Sequence, residues 1–265
     1  MIRTDSRSFA PGAVSVVLVG AAGRMGRAVR DALSGAPELE VKGLVDRAEN
    51  FGTAGGVWSA NLDRLSRGDV VIEFSTPAGC REAAERCAAA GAALVSGTTG
   101  LDASGEAAIR AAAEKVAVLR ASNFSLGIAA LRRTLRAALE ALPGWDVEIV
   151  ERHHRKKADS PSGTALALAR DTLASRGWTE AALRNGRSGA VGPRPDVEIG
   201  VHAVRGGTWV GDHTVLVAGE GEWIELRHVA SDRAAFAHGA LAAARFVATA
   251  PPGLYALEDC LGRST

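Results

Sequence analysis

Six consecutive residues that are basic, or can become so, run from Arg152 to Lys157 (Arg-His-His-Arg-Lys-Lys), and a Pro161-Ser162-Gly163-Thr164 turn follows them. Such a cluster suits a small, multiply charged anion. Its histidines and lysines could also move protons, since an imidazole titrates near neutrality and cationic neighbours shift a lysine into range. An alanine-rich helix is expected from Thr164 to Ala174. Ser162, Gly163 and Thr164 would then lie at its first turn, where free N–H groups and outward-facing hydroxyls make a site for a carboxylate or phosphate. Taken singly, such residues are more often plain helix caps, and a basic run is more often a solvated face. His153 and His154 should lie just past the end of a strand and point in different directions. That geometry, and the lack of a compact Cys/His cluster, argue against a metal site.

A second group of residues stands near the start of the chain. Gly20-Ala21-Ala22-Gly23-Arg24-Met25-Gly26 follows the apolar run Val14 to Val19 and opens a helical pattern to Leu33, the setting of a dinucleotide fingerprint. Gly20 permits a tight turn, Gly23 lets a pyrophosphate approach the backbone, and Gly26 allows close helix–strand packing. The spacing is one residue off the commonest form, so the motif alone is only moderately specific and leaves open a glycine-rich turn without a dinucleotide. Asp46 sharpens it. About twenty residues past Gly26, at the end of a second strand, it is placed to accept from a ribose 2′-hydroxyl, and Arg47 beside it could hold a 2′-phosphate instead. Having both points to tolerance of NADH or NADPH.

These groups need elements to position them. Strands are expected at 14–19, 40–45, 69–74, 92–95 and 116–119, with helices between them at 23–33, after Ser75-Thr76-Pro77 to about Ala90, and at 104–115. Alternation at this spacing predicts a Rossmann-type doubly wound parallel sheet, with every strand's carboxyl end on one edge. Gly97-Thr98-Thr99 and Ala121-Ser122-Asn123-Phe124 close later strands on that edge, so they should line the nicotinamide end of a cofactor site, although either could be only a turn. After Leu126 the pattern changes. A long helix, 127–142, precedes strand-like segments at 146–152, 197–204, 214–218 and 222–228, which suggests a C-terminal α+β domain with a mixed or antiparallel sheet. The Gly/Pro/Arg-rich piece from Asn185 to Pro195 reads as a mobile loop. The expected division is a dinucleotide-binding domain over 1–124, joined by the C-terminal segment 233–265, and a substrate-binding and oligomerisation domain over 125–232.

Composition narrows the classes. An apolar fraction of 47%, a charged fraction of 23% and a formal net charge of +1 fit an ordinary globular protein and argue against a nucleic-acid binder. No apolar run reaches the ~20 residues that would span a bilayer. The three cysteines cannot all pair, which fits a reduced, cytoplasmic setting. The first dozen residues carry two arginines and no apolar stretch, and read as a frayed extension, not a signal peptide.

The segment Glu151-x-His153-His154-x-x-Lys157-x-Asp159-x-Pro161-Ser162-Gly163-Thr164 closely resembles the signature of the 4-hydroxy-tetrahydrodipicolinate (dihydrodipicolinate) reductase family. The resemblance extends through Gly20 to Gly26, Gly97 to Gly100, Asn123 to Gly127, Arg205 to Thr214 and Gly253 to Asp259, in order along nearly the whole chain. It implies hydride transfer from NADH or NADPH to a cyclic imine dicarboxylate, in lysine and diaminopimelate synthesis. On it, His153 matches the proton donor/acceptor and Lys157 the proton donor, with His154, Gly163 and Thr164 at substrate positions. Gly20 to Met25, Asp46, Arg47, Gly97 to Thr99 and Ala121 to Phe124 match cofactor positions. The resemblance also implies a cytoplasmic homotetramer built through the second domain's sheet. Two positions depart from the pattern: Ser160 stands where alanine is usual, and Ala129 where asparagine is expected. An alternative is a related nicotinamide-dependent reductase of another amino or imino dicarboxylate, which would share the first domain but not the 153–164 segment.

Overall fold

The structure is a computed structural model that describes residues 12–51 and 56–262. The N-terminal stretch read above as a frayed extension lies almost wholly outside the described residues. The chain divides into two compact units, one formed by 1–124 with 236–265 and the other by 125–235.

The first unit is built on β1 (Val14–Val19), α1 (Arg24–Leu33), β2 (Leu39–Val45), β3 (Trp58–Ser59), β4 (Val70–Glu73), α2 (Pro77–Ala90), β5 (Ala93–Ser96), α3 (Ala103–Ala113) and β6 (Ala117–Arg120). Every pairing among its strands is parallel. Val16 to Val19 and Val70 to Ile72 are buried because helices cover both faces of such a sheet, which is why these strands read as continuous apolar runs. β1 lies between β2 and β4, with β5 and β6 beyond β4. The chain therefore reverses direction across the sheet between β1 and β4, and that crevice is where doubly wound sheets bind ligands.

The second unit starts with α4 (Leu126–Ala141) and continues through β7 (Asp146–His153), α5 (Gly163–Arg176), β8 (Leu183–Asn185), β9 (Ile199–Arg205), β10 (Gly211–Ala218) and β11 (Trp223–Ala230). Its sheet runs β11-β10-β7-β9-β8 and is mixed: β10 is antiparallel to both β11 and β7, whereas β7, β9 and β8 are parallel. The helical stripe Ile128, Leu131, Leu135 and Leu139 packs with Leu168 and Leu173 of α5 onto Val147, Ile149, Val201, Val215 and Val217. Each of these side chains contributes about 1.5–3 kcal/mol on burial, so the sheet's helix-facing side is fixed firmly. The chain then returns to the first unit through α6 (Ala234–Val247) and β12 (Gly253–Tyr255), and β12 pairs with β6 as a seventh parallel strand.

Several boundaries differ from those read in the sequence. β10 begins at Gly211, three residues earlier than expected, because Gly211, Asp212 and His213 pair across to Ala230, Val229 and His228. The short strands β3, β8 and β12 show no periodicity and escape a pattern-based reading. Arg194, inside the segment expected to be a mobile loop, is tied to Asp146, Glu148 and the carbonyl of Glu198.

Candidate active site

Gly20 ends β1 with φ of 76°, a left-handed conformation that favours glycine, and a Cβ there would collide with the carbonyl oxygen of Phe74. A Cβ at Gly26 would strike the carbonyl of Gly20 and the backbone of Ala21, so α1 approaches the turn as closely as a backbone can. Thr76, Asp102, Ser125 and Ser162 cap helices α2 to α5 through their side chains. α1 has no side-chain cap at Gly23 and no acid in its first turn. Among the described residues its first-turn N–H groups and positive dipole end are therefore unclaimed by side chains, which suits a pyrophosphate. The residues present fit a dinucleotide.

Asp46 has a structural task of its own. Its Oδ2 accepts from the backbone N–H of Ala22 (2.9 Å), and its Oδ1 from the N–H of Arg47 (2.9 Å) and from Asn50 (2.8 Å). Partial burial works against its charge, but the bonds from Asn50, Ala22 and Arg47 outweigh it and hold the carboxyl below the usual range. The acid thus braces the glycine-rich turn. Arg47 is exposed and pairs with Glu49 at 3.3 Å. On the same edge, Thr98 is buried while Thr99 is exposed. Phe124 is buried too, with its ring edge-on to Phe74 at 5.1 Å, so its side chain supports the edge from beneath. Ala121, Ser122 and Asn123 lie between the end of β6 and Phe124.

In the second unit, His153 is the last residue of β7, not a residue beyond it. Period-2 alternation puts Glu151 and His153 on the side covered by helices, and β10 brings His213 to the same side opposite Glu151. Glu151 is fully buried (0%) and accepts four hydrogen bonds. Its Oε2 takes one from His153 Nδ1 (2.6 Å) and one from Arg205 Nη1 (2.7 Å). Its Oε1 takes one from Arg205 Nη2 (2.7 Å) and one from the backbone N–H of Ser162 (3.0 Å). Burial alone would raise the Glu151 carboxyl, yet the donors Arg205, His153 and Ser162 together hold it below the usual range. A carboxylate only accepts, so Nδ1 of His153 carries hydrogen and Nε2 is the atom left to exchange a proton. The side chain keeps a 10% opening to solvent.

Ser162 departs from expectation. Its hydroxyl faces inward, accepting from the N–H of Ala165 (3.2 Å) and meeting His213 Nε2 at 3.1 Å. At an N-cap the side chain turns back onto its own helix, which leaves Gly163 and Thr164 to present the first turn of α5 outward. Burial, and then the neighbouring His153, push the His213 imidazole down to about 4, so it is neutral at pH 7. His154 is half-buried, and its backbone N–H donates to Trp209. Lys157 Nζ donates to Asp159 Oδ1 at 2.7 Å, beside the Asp159 carbonyl that Arg205 also holds. Sequence reasoning about function passed over Glu151, Arg205 and His213. The available signal was parity, since an acid two residues before His153 on a strand must share its face.

Two family profiles cover nearly the whole chain. One, described as the N-terminus of dihydrodipicolinate reductase, matches residues 14–124, and one described as its C-terminus matches 127–261. The chain belongs to the dihydrodipicolinate reductase family. The 4-hydroxy-tetrahydrodipicolinate reductase of Thermomicrobium roseum is 48% identical over 92% of this chain and 98% of that protein. The reductase of the same name from Caulobacter vibrioides is 44% identical over 94% and 97%. Among solved structures, the dipicolinate-bound dihydrodipicolinate reductase from Paenisporosarcina sp. TG-14 matches with a TM-score of 0.79 at 27% identity, covering 94% of this chain and 100% of that one. The DAP dehydrogenase of C. glutamicum, at 14% identity and a TM-score of 0.54, shares the fold alone. This dihydrodipicolinate reductase family member is an oxidoreductase that uses a nicotinamide cofactor. Among its described residues no helix is long and apolar enough to cross a membrane, and no three His, Cys, Asp or Glu groups converge as a metal site.

Proposed function

We propose that the protein reduces 4-hydroxy-tetrahydrodipicolinate to tetrahydrodipicolinate with NADH or NADPH, in lysine and diaminopimelate biosynthesis. One molecule of reduced cofactor and one proton are consumed, and NAD(P)+ and water are released. The observation that carries this reading is that one buried carboxylate, Glu151, holds both His153 and the start of α5. A proton donor and an anion cradle are thereby fixed to one another, as reduction of a cyclic imine dicarboxylate requires.

The bound nicotinamide supplies the hydride. Gly20 to Met25 receive the pyrophosphate, Asp46 and Arg47 stand at the adenosine ribose, and Gly97, Thr98, Thr99 and Ala121 to Phe124 flank the nicotinamide. Asp46 beside Arg47 supports use of either cofactor. In the second unit, the N–H groups of Gly163 and Thr164 bind one substrate carboxylate at the positive end of α5, with Ser162 acting through its cap. His154 contacts the substrate from the other side of the turn. His153 Nε2 delivers the proton that accompanies hydride addition, and Lys157 Nζ, exchanging Asp159 for the substrate, donates a second hydrogen bond or proton.

A homotetramer in the cytoplasm completes the proposal. The face of the second sheet turned away from α4 and α5 exposes Trp223 (68%), Val229 (55%) and Val204 (40%), apolar surface that a partner's sheet would cover. A steady-state assay with freshly generated 4-hydroxy-tetrahydrodipicolinate, following loss of NADH and then of NADPH, tests the function. Oxidation dependent on that substrate is expected; none with either cofactor would refute it. Sedimentation of the purified chain as a monomer would refute the tetramer.

A further inference from the structure

Glu73 takes no part in the chemistry above. It is the last residue of β4, wholly buried (0%), between Val19 of β1 and Ser96 of β5. A carboxylate in such a place needs a cation or a full set of donors. Among the described residues it forms no ion pair; donors surround it instead. Oε1 accepts from the Ser75 N–H, the Ser75 hydroxyl and the Thr98 hydroxyl, each at 2.6 Å, and Oε2 accepts from the Ser96 hydroxyl at 2.9 Å. The Thr98 hydroxyl in turn accepts from the Ser75 N–H at 3.1 Å. One side chain thus ties the loop that leaves β4 to the turn that leaves β5.

The consequence falls on Gly97-Thr98-Thr99. Gly97 donates its N–H to the Glu73 carbonyl (2.9 Å), and a Cβ at Gly97 would run into the Phe74 ring. Thr98 gives its hydroxyl to Glu73 and is only 7% exposed. What the turn can offer a ligand is therefore backbone and Thr99. A carboxylate is also a poor choice for stability at this point, where Val70, Val71 and Ile72 fill the rest of the strand. Burying a carboxylate without a cation is costly, and the four donors around Glu73 must offset that cost. Its contribution lies in orientation.

We propose that Glu73 is a positioning residue that holds the Thr98 hydroxyl inward and so sets the Gly97-Thr98-Thr99 turn to receive the nicotinamide half of the cofactor. This rests on the reading of that turn as the nicotinamide end. Glu73→Gln keeps the shape but points an amide N–H at hydroxyl donors, and Thr98→Val removes the held hydroxyl without changing size. Calorimetric titration of each variant with NADH and with ADP-ribose, which lacks the nicotinamide, separates positioning from general damage. NADH should bind on the order of tenfold more weakly while ADP-ribose stays within about twofold of wild type. If Glu73→Gln fails to fold, Thr98→Val carries the same test. Equal weakening of both ligands, or unchanged NADH binding, overturns the proposal. If the wild-type protein binds neither NADH nor NADPH, the cofactor reading itself fails and takes the positioning role with it.

Discussion

Glu151→Gln separates the two tasks assigned to one carboxylate. Glutamine preserves the volume of this fully buried side chain but can turn its carbonyl toward only half of the four donors. If the carbonyl stays on Arg205 Nη2 and the Ser162 N–H, the amide nitrogen faces His153 Nδ1 and Arg205 Nη1, two donors whose bonds to this side chain are lost. Bonds of this charge-assisted kind contribute about 1.5–3 kcal/mol each. Arg205 keeps the carbonyls of Asp159 and Val204 and is 20% open to solvent, so its charge is not stranded, and the lower figure applies. The expected loss is about 3 kcal/mol of stability, measured by urea unfolding. Catalysis should suffer more selectively. An imidazole without a fixed Nδ1–H can turn Nε2 away from the substrate, and positioned proton transfer supplies about 10²–10⁴ of rate, so kcat should fall by roughly 10²-fold. The NADH dissociation constant should not move, because Glu151 lies in the other unit. A variant with kcat within about twofold of wild type would refute the reasoning, whatever its stability.

His153→Gln should lower kcat by about 10²–10⁴ with NADH binding intact; full turnover would remove the proton-transfer role. Lys157→Ala should lower kcat and raise KM together, and a change confined to NADH affinity would contradict its place beside the α5 cradle. Arg47→Ala should weaken NADPH more than NADH, and an unaltered ratio of their dissociation constants would exclude a 2′-phosphate contact. The His213 imidazole sits near 4 in the fold against 6.5 when free, so the unfolded chain binds the extra proton between those values. Stability is therefore complete above about pH 6.5 and should fall by up to about 3 kcal/mol as the pH drops to 4. His213→Gln should flatten that acid limb of the unfolding curve; an identical limb would show that another group titrates there.

The first unit was largely legible because its signals are local. An apolar strand, a glycine turn and an amphipathic helix repeat within a few dozen residues, and Gly26 is demanded by contacts with Gly20 and Ala21 inside one strand–turn–helix unit. What stayed hidden depends on distant pairing. β12 is a strand only because β6 offers it an edge, and Gly211 to His213 belong to β10 because β11 and β7 lie on either side of them. The same holds for the site. His153, Lys157 and the α5 start could be read from one segment, but Arg205 and His213 reach it from β9 and β10, more than fifty positions along the chain. Asp46 and Ser162 were legible as residues, but not the backbone N–H groups of the fold on which each spends much of its hydrogen-bonding capacity.

The basic run that marks the site in the sequence is not one functional unit, and the reason is the register of β7. Glu151 and His153 share the helix-covered face, whereas Arg152 points to the opposite face, where Asp212 holds it at 3.1 Å together with Arg227. Asp212 itself is kept below the usual carboxylate range, first by the bond from Arg227, with burial opposing and Arg152 assisting. A slip of one residue would exchange these sets, putting Arg152 among the helices and expelling Glu151. β9 and β10 prevent it by pairing with β7 on both edges, Glu151 facing Ala203 on one side and His213 on the other. Arg155 and Lys156 lie beyond the strand on exposed positions. Of the six residues from Arg152 to Lys157, then, the sheet delivers His153 to the buried network and leaves His154 and Lys157 on the turn beside it. The net positive charge of the segment matters less than which parity the sheet imposes on it.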